Sequence, residues 1–167
     1  VMTETRAITQ DIRPLQILLL NLMPTKVVTE TQLARLLCNT PLQVEMELLK
    51  TSTHEAKNVD EQHMLSFYKT FDEIKDSKFD GMIITGAPLD QLKFEDVFYW
   101  DEVCSILDWS KTNVKSVFHS CWGALAGLYH DFGVPTHCLP KKVSGIFKLH
   151  IFDPREKLFT DIDSEVW

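Results

Sequence analysis

Residues 15–22 read LQILLLNL. An apolar run that does not alternate with polar residues has no face to offer water. It therefore forms a strand covered on both sides, the condition of a parallel sheet held between helical layers. The rest of the chain alternates to match. After Pro24, Thr29 or Thr31 is expected to cap a helix carrying Leu33, Leu36 and Leu37 along one side, stopped by Asn39-Thr40-Pro41. Gln43 to Leu49 (QVEMELL) reads as a second strand. Met64, Phe67, Tyr68 and Phe71 recur at i, i+3, i+4 and i+7, a spacing that predicts an amphipathic helix over 60–75. Asp80 to Thr85 reads as a short strand, and Trp100, Val103, Cys104 and Leu107 form a helical stripe. Val114 to His119 is strand-like, and Trp122 to His130 is rich in helix formers. Past Pro135 the pattern loosens, with one or two strands expected between Val143 and Phe152. Strands alternating with helices imply βαβ units, right-handed crossovers and a parallel sheet. The expected fold is a three-layer α/β domain.

The chain has 167 residues, 44% hydrophobic and 25% charged, which suits one soluble domain large enough to bury a core. No repeat, low-complexity stretch or linker divides it, so a single domain over 1–167 is expected. Lys and Arg number 17 against 24 Asp and Glu, a net charge of −7. That balance argues against nucleic-acid and anionic-membrane partners, both of which call for a basic patch. No run approaches the roughly 20 apolar residues of a membrane span, and no secretory signal is visible. The chain opens Val1-Met2, so a short preceding segment is expected. Cys38, Cys104, Cys121 and Cys138 are too few and too scattered for a disulfide framework. They form no CxxC pair or His/Cys cluster, so no metal is expected, and free thiols in the cytoplasm are the economical reading.

In open α/β sheets, ligands collect at the carboxyl ends of strands. Two such ends carry distinctive residues, Thr85-Gly-Ala-Pro88 and His119-Ser-Cys121-Trp-Gly123. Cys121 directly follows a strand and precedes a helix. A sharp turn there lifts a nucleophile above the sheet and sets it at a helix N-terminus, whose partial positive charge favours anions. The backbone N–H of Trp122 then faces the oxyanion of a bound acyl group. The usual elbow has Gly two residues before the nucleophile; His119 stands there. The alternative for Cys121 is a buried structural thiol. Cys38, Cys104 and Cys138 read as packing residues. The Gly86-Ala87-Pro88 turn offers a second oxyanion donor from the amide of Gly86 or Ala87, or is a plain turn. Asp90 just beyond it faces the same cleft or is simply solvated. Among His54, His63, His119, His130, His137 and His150, none is an evident base: His119 lies on the strand of the nucleophile, and His130 is two and a half helical turns past it. Lys141-Lys142 would suit a carboxylate, or be solvated surface.

Asn21-Leu-Met-Pro-Thr-Lys26, Glu30-Thr-Gln-Leu33, Asn39-Thr-Pro-Leu-Gln-Val44, Phe67-Tyr-Lys-Thr-Phe-Asp-Glu-Ile74, Thr85-Gly-Ala-Pro88 and Cys121-Trp-Gly-Ala124 together resemble the homoserine O-acyltransferase family of methionine biosynthesis. The resemblance runs from about Val1 to Trp167. It implies a flavodoxin-like, class I glutamine-amidotransferase-like α/β fold. It also implies ping-pong transfer of an acyl group from acyl-CoA, through a cysteine thioester, to the γ-hydroxyl of L-homoserine. Carried onto this chain, Cys121 matches the nucleophile and Lys142 a substrate-contacting lysine. Asp90 falls where the family sets acyl selectivity, glycine there going with succinyl-CoA and glutamate with acetyl-CoA. A carboxylate repels the free carboxylate of a succinyl group, so Asp90 points to acetyl-CoA as co-substrate, with no bound cofactor.

The family's catalytic His and Glu are expected beyond Trp167, and its members are longer, so this chain matches their N-terminal and central part. Two departures bear on the acceptor. Leu125 stands where the family usually has Gln, and Lys148-Leu149 replaces a Glu-His after Gly145-Ile-Phe147. L-Serine, one methylene shorter, is therefore the alternative acceptor, as in cysteine biosynthesis. Readings of other classes are a cysteine amidohydrolase of the same fold and an inactive or truncated binding domain. The resemblance also suggests a homodimer.

Overall fold

The computed structural model describes residues 12–52, 61–141, 143–163 and 165–166. Two compact units, Val1–Thr136 and His137–Trp167, make up the chain.

The first unit is an α/β sandwich. Its elements are β1 (Leu15–Leu20), α1 (Lys26–Leu37), β2 (Val44–Leu49), α2 (Glu61–Phe67), β3 (Tyr68–Lys69), α3 (Phe71–Ile74), β4 (Gly81–Ile84), α4 (Trp100–Asn113), β5 (Val117–His119) and α5 (Trp122–Phe132). The sheet order is β3-β2-β1-β4-β5, with every pairing parallel. The chain leaves β1 in one direction to build β2 and β3, then returns to its other side for β4 and β5. The order thus reverses between β1 and β4, the switch point beside which open α/β sheets bind ligands at the strands' carboxyl ends.

The Leu-rich run is why β1 sits at the centre. Leu18, Leu19 and Leu20 are fully buried, and the pleat sends them to opposite faces. Leu18 and Leu20 join Met82, Ile84, the α4 residues Val103, Ile106 and Leu107, and Trp122 and Ala126 of α5. Leu19 joins Leu48, Met64 and Tyr68, against which Leu33 of α1 packs. Each such leucine contributes roughly 2 kcal/mol over an exposed one. Among the described residues no helix is long and apolar enough to cross a membrane.

Three local expectations are corrected. Helix α1 starts at Lys26, with Thr25 at the cap position making no side-chain capping bond. Thr29 and Thr31 instead donate their hydroxyls to the carbonyls of Thr25 and Val27, one turn back. Leu36 faces solvent, and the buried α1 residues are Lys26 and Glu30. The helix expected over 60–75, of which Asp60 lies outside the described residues, is broken in two. Tyr68 and Lys69 pair with Leu48 and Leu49 as an edge strand, and Thr70 with Glu73 forms a capping box that starts α3. The strand expected from Val114 begins at Val117; Val114 makes an isolated bridge to Phe79.

The second unit holds a two-residue antiparallel pair, β6 (Leu149–His150) with β7 (Glu165–Val166). One strand therefore forms in the expected Val143–Phe152 segment.

Candidate active site

Strand β5 ends at His119, and two residues later the chain turns into α5. Cys121 makes that turn with φ 54° and ψ −125°, a positive φ that L-residues adopt only under strain. The turn is tied on both sides: Ser120 N–H donates to Ile84 O at 2.9 Å, and the amides of Gly123 and Ala124 donate to Ser120 O and Cys121 O at 3.0 Å. Trp122, 3% exposed, wedges the start of α5 among Phe94, Tyr99 and Trp100, with ring centroids 5.7–6.3 Å apart. Cys121 itself is exposed, so it is not the buried structural thiol that the sequence left as an alternative. The strained elbow forms although His119, not Gly, lies two residues before it. The helix side supplies the missing space: the His119 ring lies over Gly127, where a Cβ would come within 2.9 Å, and His119 Nδ1 is 3.3 Å from Gly123 O.

The turn after β4 packs directly on this elbow. A Cβ on Gly86 would lie 2.7 Å from Cys121 Cβ, 2.9 Å from its Sγ and 3.5 Å from Trp122 N. A Cβ on Gly123 would lie 2.6 Å from Thr85 O and 2.9 Å from Ile84 O. The two motifs read from sequence are therefore one site, closed by two glycines. The backbone amides of Gly86, Ala87 and Trp122 donate to no acceptor among the described residues. Asp90 is exposed, four residues along the same loop, and accepts a hydrogen bond from Gln91 Nε2 at 3.3 Å. Lys142 lies outside the described residues, as does His54.

The other cysteines and the histidines sort by contact. Cys104 is half-buried, and burial pushes its thiol pKa up, whereas Cys38 and Cys138 are exposed and not the packing residues expected. His63 meets Glu30 at 3.0 Å, His130 meets Asp108 at 3.0 Å, and His150 lies 3.5 Å from Glu165. Among the described residues no hydrogen bond joins a histidine to Cys121. The cluster Asp108, His130 and Asp131 has the chemistry of metal ligands, but Lys111 Nζ stands 2.8 Å from both carboxylates and supplies the cation.

A buried polar network beside the site was not anticipated. Past β1, Asn21 is 1% exposed; its Nδ2 donates to the Tyr68 hydroxyl at 2.9 Å and to Lys26 O at 3.2 Å. Lys26, 3% exposed, donates to Asn21 O and lies over the Tyr68 ring, while the Tyr68 hydroxyl donates to Glu30. Burial lowers the Lys26 pKa to about 8, opposed by the Glu30 charge and assisted by Lys50. Burial and then the Glu30 bond push Tyr68 far above its ordinary range. The Lys26/Glu30 spacing of i, i+4 was the available signal. Leu22, next to Asn21, donates its N–H to Thr85 Oγ1 at 2.8 Å, which ties this network to the loop that carries Gly86.

The family model for homoserine O-succinyltransferase matches residues 1–167. The chain is 60% identical over 164 residues to a homoserine O-acetyltransferase of Brevibacillus brevis, covering 98% of this chain and 54% of that protein. It is 57% identical over 163 residues to one of Acetivibrio thermocellus, covering 98% and 53%. It is 50% identical over 167 residues to one of Bacteroides fragilis, covering 100% and 55%. The chain spans about half the length of these curated relatives. With the elbow cysteine, the glycine pressed against it and a match across every residue, the chain belongs to the homoserine O-succinyltransferase family.

Proposed function

We propose that this chain carries the nucleophile half of a CoA-dependent acyltransferase that moves an acetyl group to the hydroxyl of L-homoserine. The observation that carries the reading is the exposed Cys121 on a positive-φ elbow, with Gly86 pressed against its side chain and beside the Trp122 amide. In the first half-reaction Cys121 Sγ attacks the thioester carbonyl. The carbonyl oxygen takes the negative charge, facing the amides of Trp122 and of the Gly86-Ala87 turn. The C–S bond to CoA breaks, the proton given up by the Cys121 thiol passes by way of a base to the leaving sulfur, CoA leaves as its thiol, and acetyl-Cys121 remains. In the second, the acceptor hydroxyl attacks that thioester, its proton passes to a base, and the new ester leaves as Sγ is regenerated. The base is a histidine, held by a glutamate, from the part of the longer enzyme that this chain does not cover. Lys142 contacts substrate, and Asp90 disfavours a succinyl donor. The three relatives named above carry acetyltransferase names, which supports the acetyl choice.

The test is mass spectrometry of the full-length protein after incubation with acetyl-CoA and no acceptor. An acetyl adduct on Cys121, lost in Cys121→Ser, is the expected result; an unmodified Cys121 rejects acyl transfer. CoA release with L-homoserine against L-serine then decides the acceptor, and faster turnover with serine overturns the homoserine assignment.

A further inference from the structure

Thr85 is 4% exposed and makes two side-chain hydrogen bonds. Its Oγ1 accepts from Leu22 N–H at 2.8 Å and donates to the carbonyl of Gly86 at 3.2 Å. The first bond fills a lone pair and leaves the hydroxyl proton for the second. Every peptide in the described chain is trans, so a carbonyl and the N–H of the same unit point to opposite sides. Pinning Gly86 O on the side of Thr85 and Leu22 therefore aims the Ala87 N–H away from them. The preceding peptide is fixed the other way. Its carbonyl, that of Thr85, lies against Gly123 at the first turn of α5, so the Gly86 N–H points away from that turn. Ala87 is 7% exposed and its N–H donates to no acceptor among the described residues. A buried amide left without an acceptor is uncommon and calls for a reason.

We propose that Thr85 is a positioning residue for acyl transfer, its hydroxyl locking the Gly86–Ala87 peptide so that the Ala87 amide, with that of Trp122, receives the oxyanion at Cys121. The assignment rests on the thioester reading above and chooses Ala87 over Gly86 as the second donor. Leu22 and Thr85 stand where the sheet order reverses, so the same bond couples the loop after β1 to the oxyanion donor.

The test uses the full-length protein with Thr85→Val, which keeps the shape and loses the hydroxyl, and Thr85→Ser, which keeps the hydroxyl. Two rates are read: acetyl-Cys121 formation from acetyl-CoA, and alkylation of Cys121 by iodoacetamide, a displacement that forms no oxyanion. The valine protein should acylate about 30-fold or more slowly, the scale of a misplaced catalytic group, with its alkylation rate unchanged. The serine protein should match the wild type in both. Melting alone does not serve as the control, because Leu22 N–H loses its acceptor in the valine protein. Should that protein not fold, Thr85→Ala takes its place. Wild-type acylation in the hydroxyl-free variant overturns the proposal, as does a parallel loss of acylation and alkylation, or a serine protein as slow as valine. A wild type that forms no adduct rejects the thioester reading itself, so the two failures are told apart.

Discussion

Gly86 Cα is packed so closely on Cys121 that any side chain there would meet the cysteine side chain: a Cβ would fall 2.7 Å from Cys121 Cβ and 2.9 Å from Sγ. Contacts below 3.0 Å are not tolerated, so one of the two loops must move. Because Cys121 already sits at φ 54°, its elbow has little freedom to yield without losing its aim. Gly86→Ala should therefore lower the rate of acetyl-Cys121 formation about 100-fold, the cost expected of a reacting group displaced by about 1 Å. The folded signal by circular dichroism should persist. Acylation near the wild-type rate would show that the turn is a spacer and nothing more.

Gly123 tests the same junction from the helix side, and its effect is on stability. A Cβ there would lie 2.6 Å from Thr85 O and 2.9 Å from Ile84 O, both backbone atoms at the end of β4. Unlike a side-chain tip, these atoms cannot swing aside, so α5 must lift off the sheet. Gly123→Ala should cost about 2 kcal/mol, the middle of the range for overpacking. In a chain of this size that lowers the melting midpoint by roughly 4–8 °C. Scanning calorimetry is the measurement, and an unchanged midpoint would mean that α5 is less firmly seated than its contacts imply.

How far the sequence discloses this molecule depends on what hides each residue. The placement of β1 was legible because Leu18 to Leu20 are buried by apolar contact alone, and hydrophobicity is what a pattern records. The Cys121 elbow was legible from a strand, a cysteine and a nearby glycine in succession, although the expected first glycine was missing. Contact between Gly86 and Cys121, 35 positions apart, was not, since nothing local encodes which strand ends adjoin. Tyr68 fits a helical stripe with Met64 and Phe71, yet it forms a strand. The Thr70-x-x-Glu73 capping box and the Tyr68 hydroxyl, which accepts from Asn21 and donates to Glu30, outweigh that periodicity. The burial of Lys26 and Glu30 was not legible either, because Tyr68, which packs on Lys26 and bonds Glu30, lies about 40 positions away in sequence.

Lys26 gives the chain a pH dependence of definite sign. Its pKa is about 8 when folded and near the ordinary 10.5 when unfolded. Below pH 8 both forms are charged, and folding carries the full cost of burying the ammonium. Between about 8 and 10.5 the unfolded chain binds more protons, so the Lys26 contribution to stability rises with pH. Tyr68, shifted upward, works in the opposite sense once the unfolded phenol ionises near pH 10. Comparing wild type with Lys26→Met cancels the groups common to both. The stability difference should move in favour of the wild type by of the order of 2 kcal/mol from pH 7.5 to 9.5. Urea melts across that range decide it. A constant difference would mean that Lys26 keeps its proton throughout.

The proposed donor preference is tested at Asp90, exposed on the loop that begins at Gly86. Acetyl and succinyl groups differ in a terminal carboxylate, so only the succinyl group brings a charge to the pocket. Two carboxylates about 6 Å apart in a partly solvated cleft repel by roughly 1–2 kcal/mol. Asp90→Gly removes that repulsion and opens room at an exposed loop position where glycine is readily accommodated. Use of succinyl-CoA relative to acetyl-CoA should rise about tenfold, the equivalent of 1.4 kcal/mol. Acetyl-CoA itself should be little affected, since its methyl carries no charge for Asp90 to oppose. The ratio of acylation rates with the two donors at equal concentration is the measurement, and salt provides a second arm. In the wild type, raising the ionic strength should narrow the gap between donors by screening the repulsion, and in Asp90→Gly it should not. An unchanged ratio in the glycine protein would place Asp90 outside the acyl pocket and leave the donor preference to other residues of that loop.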